Sequence, residues 1–154
     1  SAKVMAQCAA YLVPTNVTYQ ALYKHGKEFG FPEASMEKLE DVLEVGLRAV
    51  EIAKNNGVKI GHGSDLLGKC QTYQSDEFVL KAEVLGSYEA IRQATEVNAE
   101  ILNMSDQLGV IKSGAFADIV IIDGNPISDI SLLTNQGQYM PAIMKDGIFY
   151  KNTL

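Results

Sequence analysis

Apolar and polar positions alternate in two different ways along the first half of the chain. Residues 9–15 and 58–61 are short apolar runs of strand length, each followed by turn-forming residues. Residues 17–29 place apolar side chains on one helical face, and a longer helix is predicted from a Ser35 cap to a stop signal at residues 55–57 (NNG). Strand, helix, helix, strand is the order typical of βα units around a parallel sheet.

The pattern changes in the second half of the chain. Helices are predicted over residues 76–85, with Phe78, Ala82 and Leu85 on one side, and from a Ser87 cap to about residue 103. Beyond that point turn-forming pairs become frequent, and an Asp-Gly pair predicts a β-hairpin over residues 143–150. The tail is therefore expected to be a small β module, with strands at residues 109–111, 118–122, 142–145 and 148–150.

Composition and charge narrow the class of protein. The 154 residues are 47% hydrophobic and 21% charged, as in ordinary globular chains, and the net charge of −6 argues against nucleic acid and anionic membranes as partners. No apolar run approaches the ~20 residues of a membrane span, and no signal peptide opens the chain, so a cytoplasmic protein is expected. Cys8 and Cys70 are expected to be reduced thiols, and His25 and His62 are too few for a zinc site made of His and Cys at standard spacings.

The loop after the second predicted strand, residues 61–65 (GHGSD), is the first candidate for chemistry, because working loops of parallel α/β folds lie at the carboxyl ends of strands. Asp65 there can bind a cation or accept a proton from water, or it can be a turn or capping residue. His62 can lie near the same metal, or it can be a hydrogen-bonded structural residue. His25, next to lysines on a helix, is expected on a solvated face.

Other polar residues lie on the predicted helices. Glu77 and Glu83 are expected on the helix surface or in contact with a loop. Thr95 and Asn98 interrupt an otherwise apolar helix, and we expect them to hydrogen-bond buried loops instead of taking part in chemistry.

Five segments, in this order, resemble the C-terminal part of the amidohydrolase superfamily. The similarity is to its imidazolonepropionase-like and Xaa-Pro dipeptidase (prolidase-like) branch. It covers essentially the whole chain. The segments are YLVPT (11–15), GVKIGHGSD (57–65), AIRQATEVNA (90–99), LGVIKSGAFADIVIIDGNP (108–126) and IMKDG (143–147).

The resemblance implies a fold. It predicts an α/β chain in which residues 1–104 form the last two βα units of a (β/α)₈ TIM barrel. Residues 105–154 would then be the closing strands of a small composite β-sandwich.

The resemblance also implies a metal-dependent hydrolase of carbon–nitrogen bonds, in which activated water attacks an amide or peptide such as an Xaa-Pro dipeptide. Asp65 matches the aspartate that ligates the metal and takes the proton of the attacking water. Ser64 stands where the superfamily usually has threonine, and His62 where an aromatic residue is common. Together with Leu66 these two residues are expected to contact substrate. The cofactor implied is Zn²⁺, as one or two divalent ions in the complete enzyme.

Several family residues are absent: the paired histidines of the first barrel strand, the lysine of the fourth, and the histidines of the fifth and sixth. The chain is therefore expected to be a C-terminal fragment that binds zinc weakly and is inactive by itself. The alternative is a non-catalytic stand-alone module that pairs with itself or with a companion chain. The expected partners are a small amide or dipeptide substrate and further copies of the chain, with neither nucleic acid nor membrane.

Overall fold

A short parallel sheet organises the first part of the chain. The structure, a computed structural model, describes residues 1–154. Strands β1 and β2 pair in parallel, with Leu12 opposite Ile60, and the helices between them form the crossover. This confirms the predicted βα order. The elements are α1 (Ala2–Gln7), β1 (Tyr11–Leu12), α2 (Asn16–His25), α3 (Glu33–Asn55) and β2 (Lys59–Ile60).

Both strands are shorter than the apolar runs that predicted them. Residues 9–15 contribute two residues to β1, because Ala9 has a left-handed φ of 50° and Pro14 has no N–H to donate. Pairing continues one residue beyond β2, where the Gly61 N–H donates to the Leu12 carbonyl at 2.9 Å. The first residue of the polar loop that follows β2 is therefore still hydrogen-bonded to β1.

Helix α3 begins at Glu33, so the prediction of a Ser35 cap was wrong. Pro32 occupies the cap position with a φ of −60°, the value its ring imposes, and no side chain caps the helix. Only the C-terminal end of the apolar stripe is buried, where Val50 and Ala53 pack with Val58 and Ile60 in one core cluster.

The second half contains a helix with a π-helical turn that was not predicted. Gly86, at a φ of 84°, precedes this helix, so Ser87 is its first residue and not its cap. The π turn begins at Gln93, which is buried together with Ala90 and Val97. These three residues are spaced as on one helical face. The elements are a 3₁₀ segment (Gly68–Asp76), α4 (Glu77–Leu85), α5 (Ser87–Arg92), the π turn (Gln93–Val97) and α6 (Asn98–Ile101).

The buried side of α4 is not the side that carries Phe78, Ala82 and Leu85. Its fully buried residues are Glu77 and Lys81, whereas Phe78, Ala82 and Leu85 are half-buried. The apolar side chains of this short helix therefore lie on several of its faces. Its fully buried positions are occupied by two charged side chains.

The tail forms an antiparallel sheet in the order β3–β4–β5. The predicted hairpin is confirmed, since Asp146 and Gly147 both have positive φ, 49° and 76°, as a type I′ turn requires. Residues 109–111 are not a strand. The elements are β3 (Ile119–Ile121), β4 (Ala142–Lys145) and β5 (Ile148–Asn152), with 3₁₀ turns at Ile130–Leu133 and Asn135–Gly137.

Two general features complete the fold. Cys8 and Cys70 are both free, the first exposed and the second buried. None of the helices combines the length and the apolar character that crossing a membrane requires.

Candidate active site

The loop that carries Asp65 is held by side chains from the surrounding helices. The amide group of Asn98 pairs with both backbone groups of His62: Oδ1 accepts from the N–H at 2.9 Å, and Nδ2 donates to the carbonyl at 2.8 Å. This confirms the expectation that Asn98 hydrogen-bonds a loop. Thr95 does not, because its hydroxyl donates to the Ile91 carbonyl of its own helix at 2.9 Å.

Two further side chains bind carbonyl groups of the same loop. The Lys81 ammonium donates to the Gly61 carbonyl, and the Thr18 hydroxyl donates to the Ser64 carbonyl. Asp65 follows directly, in the left-handed region at a φ of 50° that Asp tolerates better than most residues. The backbone that leads to Asp65 is thus held by hydrogen bonds at Gly61, His62 and Ser64.

Glu77 and Lys81 form a buried pair that the sequence did not reveal. Both side chains are 0% exposed, and Lys81 Nζ lies 4.0 Å from Glu77 Oε1. The other carboxylate oxygen, Oε2, accepts a hydrogen bond from the Val17 N–H at 2.7 Å. Burial raises the pKa of Glu77 to about 7, against the opposing effects of Val17 and Lys81, and burial lowers the pKa of Lys81 to about 8.

His62 is packed as a neutral ring. Its ring centroid lies 4.2 Å from that of Phe78, and its Nδ1 is buried without a hydrogen-bond partner. Burial, and then the nearby charge of Lys81, lower the pKa of His62 to about 4. The imidazole is therefore uncharged at neutral pH.

A cavity of about 470 Å³ lies beside Asp65. Its walls come from α2, from the segment between α2 and α3, and from the residues that follow the Asp65 loop. Among the predicted site residues, Asp65 and Leu66 line this cavity, and His62 and Ser64 do not. The lining residues are Thr18, Ala21, Leu22, Phe29, Phe31, Asp65, Leu66, Leu67, Gly68, Lys69 and Cys70.

A second cavity, of about 450 Å³, lies along β2 on the side of residues 57–60, and Asp65 is not part of it. Four of its charged side chains pair with each other, Lys59 with Glu100 and Arg92 with Glu89, and the fifth, Lys54, donates to the Val84 carbonyl at 3.3 Å. Both of its carboxylates are engaged by cations and neither is free to act as a base, so the cavity beside Asp65 is the better candidate.

His25 is not on a solvated face, and that expectation was wrong. Its side chain is 18% exposed, and its Nε2 lies 2.9 Å from the Tyr73 hydroxyl oxygen. Its Nδ1 is 3.5 Å from Glu28 Oε1, too far for a good hydrogen bond. The contact with Tyr73 joins α2 to the 3₁₀ segment that follows the Asp65 loop.

The residues of the chain do not form a metal site by themselves. No group of three or more His, Cys, Asp and Glu side chains is arranged so that it could hold a metal ion. Asp65 can therefore supply one ligand, whereas a catalytic zinc site has about three protein ligands and a water molecule.

Known proteins match almost the whole chain. Residues 1–146 match the family model described as Amidohydrolase family. A solved prolidase complexed with N-methylphosphonate-L-proline is 50% identical with a TM-score of 0.93, covering 98% of this chain and 37% of that one. A Xaa-Pro dipeptidase with bound methionine in the active site is 32% identical with a TM-score of 0.83, at the same two coverages.

A more distant structure shares the fold. The ochratoxinase of A. niger is 22% identical with a TM-score of 0.78, covering 98% of this chain and 34% of that one. Among curated proteins no match is found. The chain spans little more than a third of the length of the solved structures it matches, 37% of the first of them. By the match over residues 1–146 and by its similarity to prolidases, the chain belongs to the amidohydrolase family, in the prolidase-like branch.

Proposed function

We propose that this chain forms part of the active site of a hydrolase that cleaves an amide or peptide bond, with Asp65 as the general base. The observation that carries the proposal is the position of Asp65, which follows β2 on a fixed backbone and lines a cavity of about 470 Å³. A 50%-identical relative is a prolidase with a bound proline derivative, which supports a small substrate of the Xaa-Pro dipeptide class.

The proposal includes a place for the chain in a larger fold. β1 and β2 would be the last two strands of a (β/α)₈ barrel, and residues 105–154 the closing strands of a β-sandwich. The parallel pairing of β1 with β2 and the helical crossover between them support the first assignment. The antiparallel sheet β3–β4–β5 supports the second.

In this mechanism Asp65 orients the attacking water and accepts its proton as the water oxygen adds to the carbonyl carbon. Asp65 then delivers that proton to the amine nitrogen as the C–N bond breaks. A divalent cation such as Zn²⁺ would supply Lewis acidity at the scissile carbonyl when bound. Asp65 would contribute one ligand to that ion, and the remaining ligands would come from polypeptide outside residues 1–154.

The cavity beside Asp65 has the size and lining of a small-molecule site. Its volume lies within the range of ~300–1,000 Å³ that is common for ligand pockets. Leu22, Phe29, Phe31 and Leu66 give it apolar walls, which suits an uncharged substrate side chain. Leu66 would contact substrate directly, whereas His62 and Ser64 would act through the loop backbone.

Assay of the protein encoded by the complete reading frame that contains residues 1–154 tests this function. With Zn²⁺ present, we expect release of proline from Xaa-Pro dipeptides, and Asp65→Asn should lower kcat/KM by roughly 10²–10⁴-fold, the usual contribution of a general base. Equal activity of Asp65→Asn, or no hydrolysis of any amide by the unchanged protein, would contradict the proposal. Circular dichroism checks that Asp65→Asn is folded.

The same assay on residues 1–154 alone has a different expected result. Because Asp65 is a single ligand, we expect zinc well below one ion per chain after dialysis, and no turnover. Stoichiometric zinc together with turnover would show that the chain is sufficient by itself.

Self-association is a second candidate function, and the edge of the tail sheet favours it. β5 pairs with β4 on one side and has no partner strand on the other, and it exposes Ile148 and Tyr150. Light scattering of residues 1–154 should then give a dimer, and Ile148→Lys should give a monomer. A monomer in both cases would exclude this role.

A further inference from the structure

Glu77 holds the first turn of α2 from a distance of 60 residues along the chain. Val17 is the second residue of α2, and the first N–H groups of a helix have no partner within the helix. Thr15, at the cap position, makes no side-chain hydrogen bond. The Glu77 carboxylate fills this role, and a negative charge at a helix N-terminus is favourable.

One helical turn further along α4, Lys81 holds the end of β2. Its ammonium donates to the Gly61 carbonyl, which lies on the residue whose N–H is bound by Leu12 of β1. The two charged side chains are four residues apart on α4, so one rigid helix carries both contacts.

These contacts close a ring that contains the Asp65 loop. Glu77 fixes Val17, and the next residue, Thr18, donates its hydroxyl to the Ser64 carbonyl beside Asp65. From Ser64 the ring runs back along the loop to Gly61, and from there through Lys81 to Glu77. A change in the spacing of α2 and the end of β2 would therefore disturb the contacts of Glu77 and Lys81.

A buried pair of this kind is poorly explained by stability alone. Removing two charges from water has a large free-energy cost, and replacing such pairs by apolar residues is often neutral or stabilising. Here Glu77 Oε1 has no hydrogen-bond partner, so the attraction between the two charges is not optimised. A role in fixing geometry accounts for the pair better than a contribution to stability.

We propose that Glu77 and Lys81 are positioning residues that hold the Asp65 loop against the first turn of α2. The catalytic consequence, correct placement of the Asp65 carboxylate, rests on the proposed function. The mechanical consequence does not: breaking either contact should loosen both the α2 turn and the loop.

Amide hydrogen exchange of the chain, followed by NMR, tests the mechanical part. Lys81→Met removes the contact with Gly61 at similar volume, and Glu77→Leu removes the contact with Val17. We expect each variant to speed exchange at the Val17, Gly61 and His62 amides by about tenfold or more, with the amides of β4 unchanged. Glu77→Gln keeps an acceptor oxygen for Val17 and should restore most of the protection.

The control pair is Glu89 and Arg92, which are joined by two hydrogen bonds of 2.8 Å at a half-exposed position on α5. Glu89→Gln and Arg92→Met should leave exchange at Val17 and Gly61 unchanged. The proposal is overturned if Lys81→Met affects only the loop and Glu77→Leu only α2. If Glu77→Leu fails to fold, the Val17 amide in Lys81→Met decides the question.

Kinetics of the complete-frame protein test the catalytic part. Lys81→Met and Glu77→Leu should lower kcat by about tenfold or more with a smaller change in KM, since the apolar walls at Leu22, Phe29 and Phe31 lie outside the loosened segments. Glu77→Gln should recover most of kcat. Unchanged kcat in both variants would overturn the positioning role. If the unchanged protein hydrolyses nothing, the proposed function fails, and the exchange experiment still decides whether the pair holds the loop.

Discussion

The side chain of Asn98 forms two hydrogen bonds with the backbone of His62, 36 residues earlier in the chain. Gly61 packs close to the same amide, because a Cβ on Gly61 would lie 2.9 Å from Asn98 Oδ1. The end of β2 and the helix containing Asn98 are therefore in direct contact, and the amide continues the hydrogen bonding of the strand where its partner strand ends.

The first prediction concerns this contact. Asn98→Ala leaves the N–H and the carbonyl of His62 without partners, and we expect the free energy of unfolding to fall by about 2–4 kcal/mol. Urea denaturation measures the change. The matched control is Asn56, the half-buried residue that follows α3, whose side-chain amide donates to the Ile52 carbonyl in a solvent-exposed hydrogen bond. Asn56→Ala should cost less than about 1 kcal/mol. Equal effects of the two substitutions would contradict the prediction.

Local signals in the sequence predicted much of the fold. The alternation of apolar runs and amphipathic segments gave the order of β1, α2, α3 and β2, and the Asp146-Gly147 pair gave the turn of the tail hairpin. Asn98 was identified because a polar residue in an apolar helix requires a partner. The order of the elements and the hairpin turn depend on residues that are close together in sequence. The role of Asn98 follows from the cost of leaving a buried amide without a hydrogen bond.

Features that depend on distant partners were missed. His25 meets Tyr73 across 48 residues, Lys81 meets Gly61 across 20, and Glu77 meets Val17 across 60. A charged residue on a predicted helix is assigned to the solvent-exposed surface by default. The burial of Glu77 and Lys81 was therefore not predicted. Their spacing of four residues within an otherwise mostly apolar helix is the signal that could have pointed to a buried pair.

The second prediction concerns the dependence of stability on pH. Burial raises the pKa of Glu77 from 4.5 to about 7, so its contribution to stability is present below pH 4.5 and is lost as pH rises through 7. Burial lowers the pKa of Lys81 from 10.5 to about 8, so its contribution is present above pH 10.5 and is lost as pH falls through 8. The pair should therefore stabilise the fold least between pH 7 and 8.

Comparison with the double variant Glu77→Gln/Lys81→Met isolates this effect once the contribution of His62 is subtracted, since Lys81→Met also changes the pKa of His62. That contribution follows from the His62 pKa measured in both chains. The free energy of unfolding of the unchanged chain minus that of the double variant should have its minimum near pH 7–8 and rise on both sides. A maximum in that range, the behaviour of a favourable ion pair, would contradict the assignment.

The third prediction concerns His62. Its pKa is lowered to about 4 by burial and then by the charge of Lys81, so NMR of the ring should show titration well below pH 6. Lys81→Met should raise this pKa, because it removes the second cause. Arg92→Met, whose guanidinium pairs with Glu89 on α5, should leave it unchanged. A His62 pKa near 6.5 in the unchanged chain would show that the ring is solvated.

The last prediction compares two glycines, both of positive φ, in the segment between α6 and β3. At Gly109, with a φ of 72°, an added Cβ would lie 2.5 Å from the Thr95 carbonyl carbon and oxygen, which are backbone atoms of the π turn. At Gly114, with a φ of 88°, an added Cβ would meet nothing within 4 Å.

Gly114→Ala should therefore cost only the strain of an alanine at positive φ, about 1–2 kcal/mol. Gly109→Ala carries the same strain, and it also pushes the segment away from the π turn. We expect an additional loss of about 1–3 kcal/mol, as for an overpacked core position, measured by urea denaturation. Equal losses would mean that the segment moves away from Thr95 without cost, and that this contact does not hold the tail against the helix.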